Sequence, residues 1–359
     1  MNERVGGRLR WIDVTKGLCM VLVVLRHLTL WLENEFNHGT TLFWWEFSEF
    51  LSPIRMPLFF LISGYLVTNA VRRPLAQSRA RTFGFFYLYA IWSALFLLRL
   101  WIPVPGINDN APSWGIFFIA IILPTVFWYI WALSVYFLLT WLFQRLLGDA
   151  SRWLVIPLFA LAFTAPLLND VFIPLFPGPV DALKFGSIIL NFVWFFAGVH
   201  GRDLWNSIMA RSTWKSFALW SVVYVIAFVL ATLGDLRETL LPALALLALI
   251  AIAHAVPIIR APELVVHSFE RIGKLTLPVY IFHIFAISVI SLLVKESGLG
   301  VLISHSIVLS AAVIPPLLTP VLVVASMFVG RIILDSPVRW LMTPDWLKLG
   351  PAQKDAARP

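Results

Sequence analysis

Long apolar blocks separated by short polar stretches make up most of the chain, and most blocks approach the ~20 residues a helix needs to cross a bilayer. They run from Trp11 to Leu32, Phe43 to Val71, Phe83 to Ile102, Val126 to Leu147 and Trp153 to Leu168. Further blocks run from Phe185 to His200, Trp214 to Leu233, Thr239 to Val256, Ile272 to Val294 and Ile303 to Leu334. The pattern predicts an all-α fold, a polytopic membrane helical bundle of about ten transmembrane helices. The second and last blocks exceed one crossing, and prolines are expected to break them: Pro53 and Pro57 in one, Pro315, Pro316 and Pro320 in the other. The segment from Trp114 to Leu123 is too short for a crossing and reads as an interfacial or half-span helix. No internal repeat is visible. Residues 1–346 form one transmembrane domain, with 347–359 expected to be a disordered cytoplasmic tail.

Composition supports lipid as the solvent. Charged residues are 13% of the chain, about half the usual share for a soluble domain. That is too little polar surface to clothe a water-soluble globule. The first block is longer than a signal-peptide core and carries Lys16 and His27, with no small-residue cleavage site after it, so it is expected to be a retained helix. One cysteine, Cys19, leaves neither an intrachain disulfide nor a thiolate metal cluster, and its apolar setting favours a buried thiol over a nucleophile.

The net charge of +8 raises the question of nucleic acid, and its distribution answers it. The cations cluster in alternate short loops rather than on one amphipathic face. Arg4, Arg8 and Arg10 precede the first block. Later inside loops hold Arg72, Arg73, Arg79 and Arg81; Arg145 and Arg152; Arg202, Arg211 and Lys215; and Arg260, Arg271 and Lys274. The opposite loops hold only Lys184, Arg237 and Lys295, with Arg99 near one helix end. The asymmetry predicts both termini in the cytoplasm. The expected partner is the lipid bilayer, not nucleic acid, and the expected location is the plasma (inner) membrane of a bacterium.

Ionisable groups in hydrocarbon are costly, so each is a functional candidate. Lys16 and His27 are eleven positions apart, which returns them to within ~20° of one helical face, ~16 Å apart along the axis. Lys16 reads either as a snorkelling, topology-setting lysine or as a ligand. For His27 a functional role outweighs simple packing. Arg26 points ~100° away and reads as a snorkelling or carboxylate-paired cation. Glu46 and Glu49 share a face three positions apart, either as an interfacial polar face, as partners for Arg26 or Arg55, or as contacts to an acceptor hydroxyl. Arg55, between two prolines, fits a site role and a structural ion pair equally. Ser63 stays open, while Gly64 suits close helix packing. In the ninth block Thr276, Tyr280 and His283 line one polar stripe. Arg72 and Arg73 suit anionic lipid or the phosphates of a cytoplasmic donor. No pair of histidines has metal-ligand spacing on one helix, so no metal is expected.

These residues carry a resemblance. Ile12-Asp13-Val14-Thr15-Lys16-Gly17 followed by His27, the stretch Met56-Pro57-Leu58-Phe59-Phe60-Leu61-Ile62-Ser63-Gly64-Tyr65, then Trp128-Tyr129-Ile130-Trp131-Ala132-Leu133 and Tyr280-Ile281-Phe282-His283 resemble acyltransferase family 3. The order matches and the motifs span nearly the whole chain. The resemblance implies integral membrane O-acyltransferases of cell-surface sugars, with acyl-CoA as cytoplasmic donor and a glycan or glycolipid hydroxyl as acceptor. The family pattern of a basic residue, ten intervening residues and histidine falls on Lys16 and His27. Lysine rather than arginine at the basic position is similar to the fucose 4-O-acetylase-like branch.

The expected chemistry is acyl transfer, most readily acetyl from acetyl-CoA, with no bound cofactor. His27 is expected to act as general base or to carry the acyl group covalently, and Tyr280, His283, Ser63 and Arg55 are candidate oxyanion donors. Lys16, Arg55, Ser63, Arg72, Arg73, Glu46 and Glu49 are the candidate CoA and substrate contacts. The competing class is a transporter or flippase of a lipid-linked sugar. The lack of an inverted repeat speaks against it, and acyl-CoA binding from the inner face separates the two.

Overall fold

The computed structural model describes residues 4–5, 8–36, 42–98, 114–124, 126–172, 184–305 and 313–343. The expected tail at 347–359 and Arg99 lie outside them. A two-residue antiparallel pair, Arg4–Val5 with Arg8–Leu9, precedes α1 (Arg10–Phe36). There follow α2 (Leu42–Phe50), α3 (Ser52–Val71), α4 (Phe83–Leu98), α5 (Trp114–Ile122), α6 (Trp128–Leu147), α7 (Val155–Ala162) and α8 (Ala165–Phe172). Next come α9 (Phe185–His200), α10 (Arg202–Ala210), α11 (Trp214–Leu233), α12 (Leu241–Ile258), α13 (Glu263–Lys274), α14 (Thr276–Glu296), α15 (Leu299–His305) and α16 (Ile314–Asp335).

Among the described residues eight helical stretches are long and apolar enough to span a membrane, and α9, at 16 residues, is a shorter apolar helix. The fold is therefore that of a multi-pass membrane protein. The block from Trp153 to Leu168 is not one rod. It is divided into the end of a 3-10 turn (Gly148–Leu154), α7 and α8. Pro166 supplies the reason: it cannot donate to the carbonyl four residues back, so the α-helix ends before it and a new one starts at Ala165. The second block breaks at Leu51, whose carbonyl caps α3 by accepting from Ile54 N at 3.0 Å and Arg55 N at 3.1 Å. Pro53 then falls in the first turn of α3, where no donor is needed, and Pro57 lies inside the continuous helix. Pro315 and Pro316 likewise open α16, while Pro320 is inside it.

The chain forms two compact units. The first comprises Met1–Phe59, Asn206–Leu233 and Ala243–Asp335. Its centre is α1, which packs most extensively on α13 and also on α14 and α16. Two glycines permit the closest approach. A Cβ on Gly17 would fall on the Phe269 carbonyl, and one on Gly273 would fall on the Asp13 carbonyl. Small residues at such crossings let backbones touch, which is how apolar helices gain packing energy where burial from water contributes little. Helix α13 carries Glu263, His267, Glu270, Arg271 and Lys274, and buries Val266, Glu270 and Gly273 on its packing side. It occupies the stretch expected to be a short cationic loop.

The second unit comprises Phe60–Trp205, Gly234–Pro242 and Ser336–Pro359. Here α4 packs on α5 and α6, and α9 on α6, α7 and α8. Gly64 and Gly198 repeat the reciprocal contact: a Cβ on either would fall on the Phe195 or Leu61 carbonyl, respectively. The reading of Gly64 as a packing residue agrees with this contact.

Candidate active site

Two imidazoles meet in the first unit. His27 on α1 and His283 on α14 have ring centroids 5.0 Å apart at 62°. His283 Nε2 lies 3.4 Å from His27 Nδ1. Each ring also places Nδ1 2.9 Å from the carbonyl one turn earlier, Val23 for His27 and Val279 for His283. A carbonyl only accepts, so both Nδ1 atoms carry the proton in the neutral pair, and this assigns the tautomers. The Nδ1–H of His27 is then shared between Val23 O and the lone pair of His283 Nε2. His27 Nε2 is left as the basic nitrogen. His283 is fully buried and His27 half-buried. Tyr280, one turn before His283 and 6% exposed, has its ring 6.0 Å from the His283 ring. Thus the three residues expected to be catalytic share one neighbourhood.

One position before His27, Arg26 pairs with Glu49 on α2 at 2.8 Å and lies 4.0 Å from the centre of the Trp45 ring. Arg55 at the start of α3 is buried and donates from Nη1 to Ser48 Oγ at 2.5 Å. The charged and titratable groups acting on Arg55 are Arg26, Glu49 and Cys19. Cys19 is fully buried, and its thiol is free of any disulfide. Glu46 is exposed on α2.

Toward the start of α1, Lys16 lies 4.0 Å from Asp13. Beside them α13 is bound by charge to the same helix: Arg10 donates to Glu270 at 3.0 Å and to Glu263, while Lys274 donates to Glu270 at 2.5 Å. Hydrogen bonding from Lys274 first, then from Arg10, holds the Glu270 carboxyl below the usual carboxylate range. Lys16 and this ion-pair network occupy the start of the helix whose other half carries His27.

The second unit holds the remaining candidates. Ser63 Oγ is 3.1 Å from Tyr129 Oη, which joins two of the sequence motifs. Arg72 and Arg73 line a cleft of about 460 Å³ with Trp141, Gln144, Arg145 and Asp149. Asp149 pairs with Arg72 at 3.5 Å, and Trp141 Nε1 donates to the Arg73 carbonyl at 3.0 Å. Three arginines against one carboxylate leave this cleft net positive, suited to phosphate. Among the described residues no three His, Cys, Asp or Glu side chains gather as a metal site would require.

The acyltransferase domain that defines acyltransferase family 3 matches residues 9–334. The chain belongs to that family. A curated relative is the inner membrane protein YcfT of Escherichia coli (strain K12), 28% identical over 219 residues, covering 52% of this chain. The matched region is 55% of the relative's own length, so the chain spans about half of it. No solved structure matches this chain at a significant level.

Several parts of the site escaped the sequence reading. Ser48 and Trp45 carry no motif, and only the α2–α3 break brings them to the arginines. Arg145 and Trp141 gain meaning from the cleft alone. The carboxylates of α13 were hidden in a stretch whose hydropathy reads as loop. The signal for that helix was present as apolar residues at Val265, Val266, Phe269 and Ile272, a helical period.

Proposed function

We propose that this family member is an O-acyltransferase of the bacterial inner membrane, with both termini in the cytoplasm. It moves an acyl group, most readily acetyl, from cytoplasmic acyl-CoA to a hydroxyl of a cell-envelope glycan or glycolipid. Lysine at position 16 supports its assignment to the fucose 4-O-acetylase-like branch. The observation that carries the reading is the imidazole pair. A membrane-embedded histidine whose Nδ1 proton is anchored by both a carbonyl and a second imidazole has its other nitrogen prepared as a base.

The chemistry follows from that geometry. An acceptor hydroxyl attacks the thioester carbonyl, a C–O bond forms, and the hydroxyl proton passes to His27 Nε2. The imidazolium that forms is stabilised as its Nδ1–H bonds to Val23 O and His283 Nε2 become charge-assisted. The tetrahedral oxyanion draws on Tyr280 as donor. When it collapses, the C–S bond breaks and the thiolate takes the proton back from His27. The products are an acyl ester and free CoA, and the imidazole returns to its starting state. His283 acts through His27 and is a positioning residue. Lys16, ~16 Å along the helix from His27 by helical rise, is matched in scale to a pantetheine arm whose phosphates it would hold. Within the second unit Arg72 and Arg73 are suited to phosphate, and in the first Glu46 is suited to an acceptor hydroxyl.

The test uses the purified protein in nanodiscs with labelled acetyl-CoA. Wild type is expected to bind the donor and release free CoA slowly without acceptor. His27→Ala is expected to bind but not turn over, and Lys16→Ala to bind weakly. No binding by wild type at millimolar acetyl-CoA, or full turnover by His27→Ala, would overturn the reading.

A further inference from the structure

Arg26 and Arg55 take no part in the proton transfer, yet Arg55 is buried and Arg26 half-buried in an apolar bundle. Arg26 pairs with Glu49 of α2 at 2.8 Å, and Arg55 donates to Ser48, the residue before Glu49, so two guanidinium groups meet adjacent positions of one helix that offer one carboxylate. Arg26 Nη1 is buried without a hydrogen-bond partner. Arg55 has Ser48 Oγ, a neutral partner, on its Nη1. A buried cation with an unsatisfied donor normally costs several kcal/mol in an apolar setting. A structural ion pair would match charges and satisfy its donors, as Arg10 does with two carboxylates at the other end of α1. The Arg26 group is also reachable, because its side chain and that of Glu49 are 20% and 24% exposed. Trp45 under the Arg26 guanidinium fixes its plane, and a fixed fork is what carboxylate recognition requires.

We propose that Arg26, one position before His27 on α1, and Arg55 form a binding site for a carboxylate carried by one of the two substrates. Resting on the acyltransferase reading, this narrows the substrate class. The carboxylate belongs either to the far end of a dicarboxylic acyl group or to an acidic sugar acceptor. Glu49 tunes the site by competing with the ligand for Arg26.

The test has two arms on the full chain in nanodiscs at constant ionic strength. In the first, thermal stabilisation is measured with succinate and methyl glucuronoside against succinamide and methyl glucoside. In the second, turnover of succinyl-CoA is compared with that of acetyl-CoA. Variants are Arg26→Gln, Arg26→Lys and Glu49→Gln. An acyl-borne carboxylate predicts preference for succinate and succinyl-CoA; an acceptor-borne one predicts stabilisation by the glucuronoside. In either case Arg26→Gln is expected to weaken the acid's apparent affinity about tenfold, the loss of one charge-assisted contact. Arg26→Lys restores part of it, and Glu49→Gln enhances it, an effect that a purely structural pair does not produce. If wild type does not distinguish acid from neutral analogue, or keeps its preference in Arg26→Gln, the proposal is wrong. If no thioester is turned over, the acyltransferase reading falls, while the stabilisation arm still decides the anion site.

Discussion

Nε2 of His283 faces Nδ1 of His27 at 3.4 Å while both Nδ1 atoms sit 2.9 Å from carbonyls of their own helices. The second ring is thus an acceptor for the first, in the role a carboxylate plays in other hydrolytic and transfer sites, but without its charge. An imidazole is the weaker stabiliser and costs less to bury in an apolar bundle.

Removing that acceptor should therefore cost rate, not donor binding. His283→Ala is expected to lower kcat by about 10- to 100-fold, less than the 10²- to 10⁴-fold typical of deleting the base itself. KM for acyl-CoA should stay near wild type. His283→Gln places a carbonyl oxygen where it can accept from His27 Nδ1 and should recover part of kcat. A steady-state comparison of the three proteins decides it. Equal damage by Ala and Gln, or damage confined to KM, would reduce His283 to a packing residue.

The Gly17–Gly273 crossing makes a stability prediction. A methyl group at either position meets a backbone carbonyl, which cannot rotate away as a side chain can, so the helices must part. Gly17→Ala and Gly273→Ala are each expected to cost about 1–3 kcal/mol or more and to lower the melting temperature in detergent. Gly300→Ala is the control, since a Cβ there would sit at an ordinary 3.6 Å from Phe36. Equal melting temperatures for all three variants would show that α13 docks loosely.

The ease of reading differed between these parts for physical reasons. Hydrophobic blocks are read directly, because a bilayer demands length and apolarity of each helix separately, and α1, α11, α12 and α14 fall close to the expected limits. Breaks were read less well: proline forbids a donor, but Pro53 and Pro315 turned out to start helices rather than end them. Helix α13 was missed because an amphipathic helix has no net hydropathy. His27 and His283 were each legible as buried polar groups on a stripe, and each carried family motifs. Their mutual contact was not, since the residues are 256 positions apart and only tertiary packing selects which stripe meets which. Arg26 reads from the sequence as a snorkelling or a carboxylate-paired cation, and it pairs with Glu49, but its surplus of charge depends on where Arg55 lands.

Glu270 gives the protein an acid-sensitive latch. Its carboxyl is held down by Lys274 and Arg10, so its folded pKa lies below the unfolded value near 4.5. The stabilisation is fully present above the unfolded value and disappears as pH falls through the depressed one. Melting temperature should therefore drop on acidification below about pH 4.5 in wild type. Glu270→Gln should be less stable at neutral pH, where it leaves Arg10 and Lys274 short of a carboxylate, and should show a shallower acid limb. Parallel slopes for the two proteins between neutral pH and about pH 3.5 would remove Glu270 from the latch.

The cleft around Arg72, Arg73, Trp141 and Arg145 should act on the donor alone. Its guanidinium groups contact neither His27 nor His283 in any hydrogen bond or ion pair among the described residues, so their loss is expected to remove phosphate contacts and leave the base in place. Arg73→Gln is expected to raise KM for acyl-CoA about tenfold, one charge-assisted contact, with kcat unchanged. Because the contact is electrostatic and partly exposed, wild-type KM should rise with salt and the variant's should rise less. Desphospho-CoA thioesters, which lack the 3′-phosphate, make the assignment specific. If the cleft holds that phosphate, the arginine variant should lose its disadvantage on the truncated donor. If Arg73→Gln is equally impaired on both donors, the cleft reads some other part of CoA, and if it is impaired on neither, the phosphates are held elsewhere, with Lys16 the first alternative.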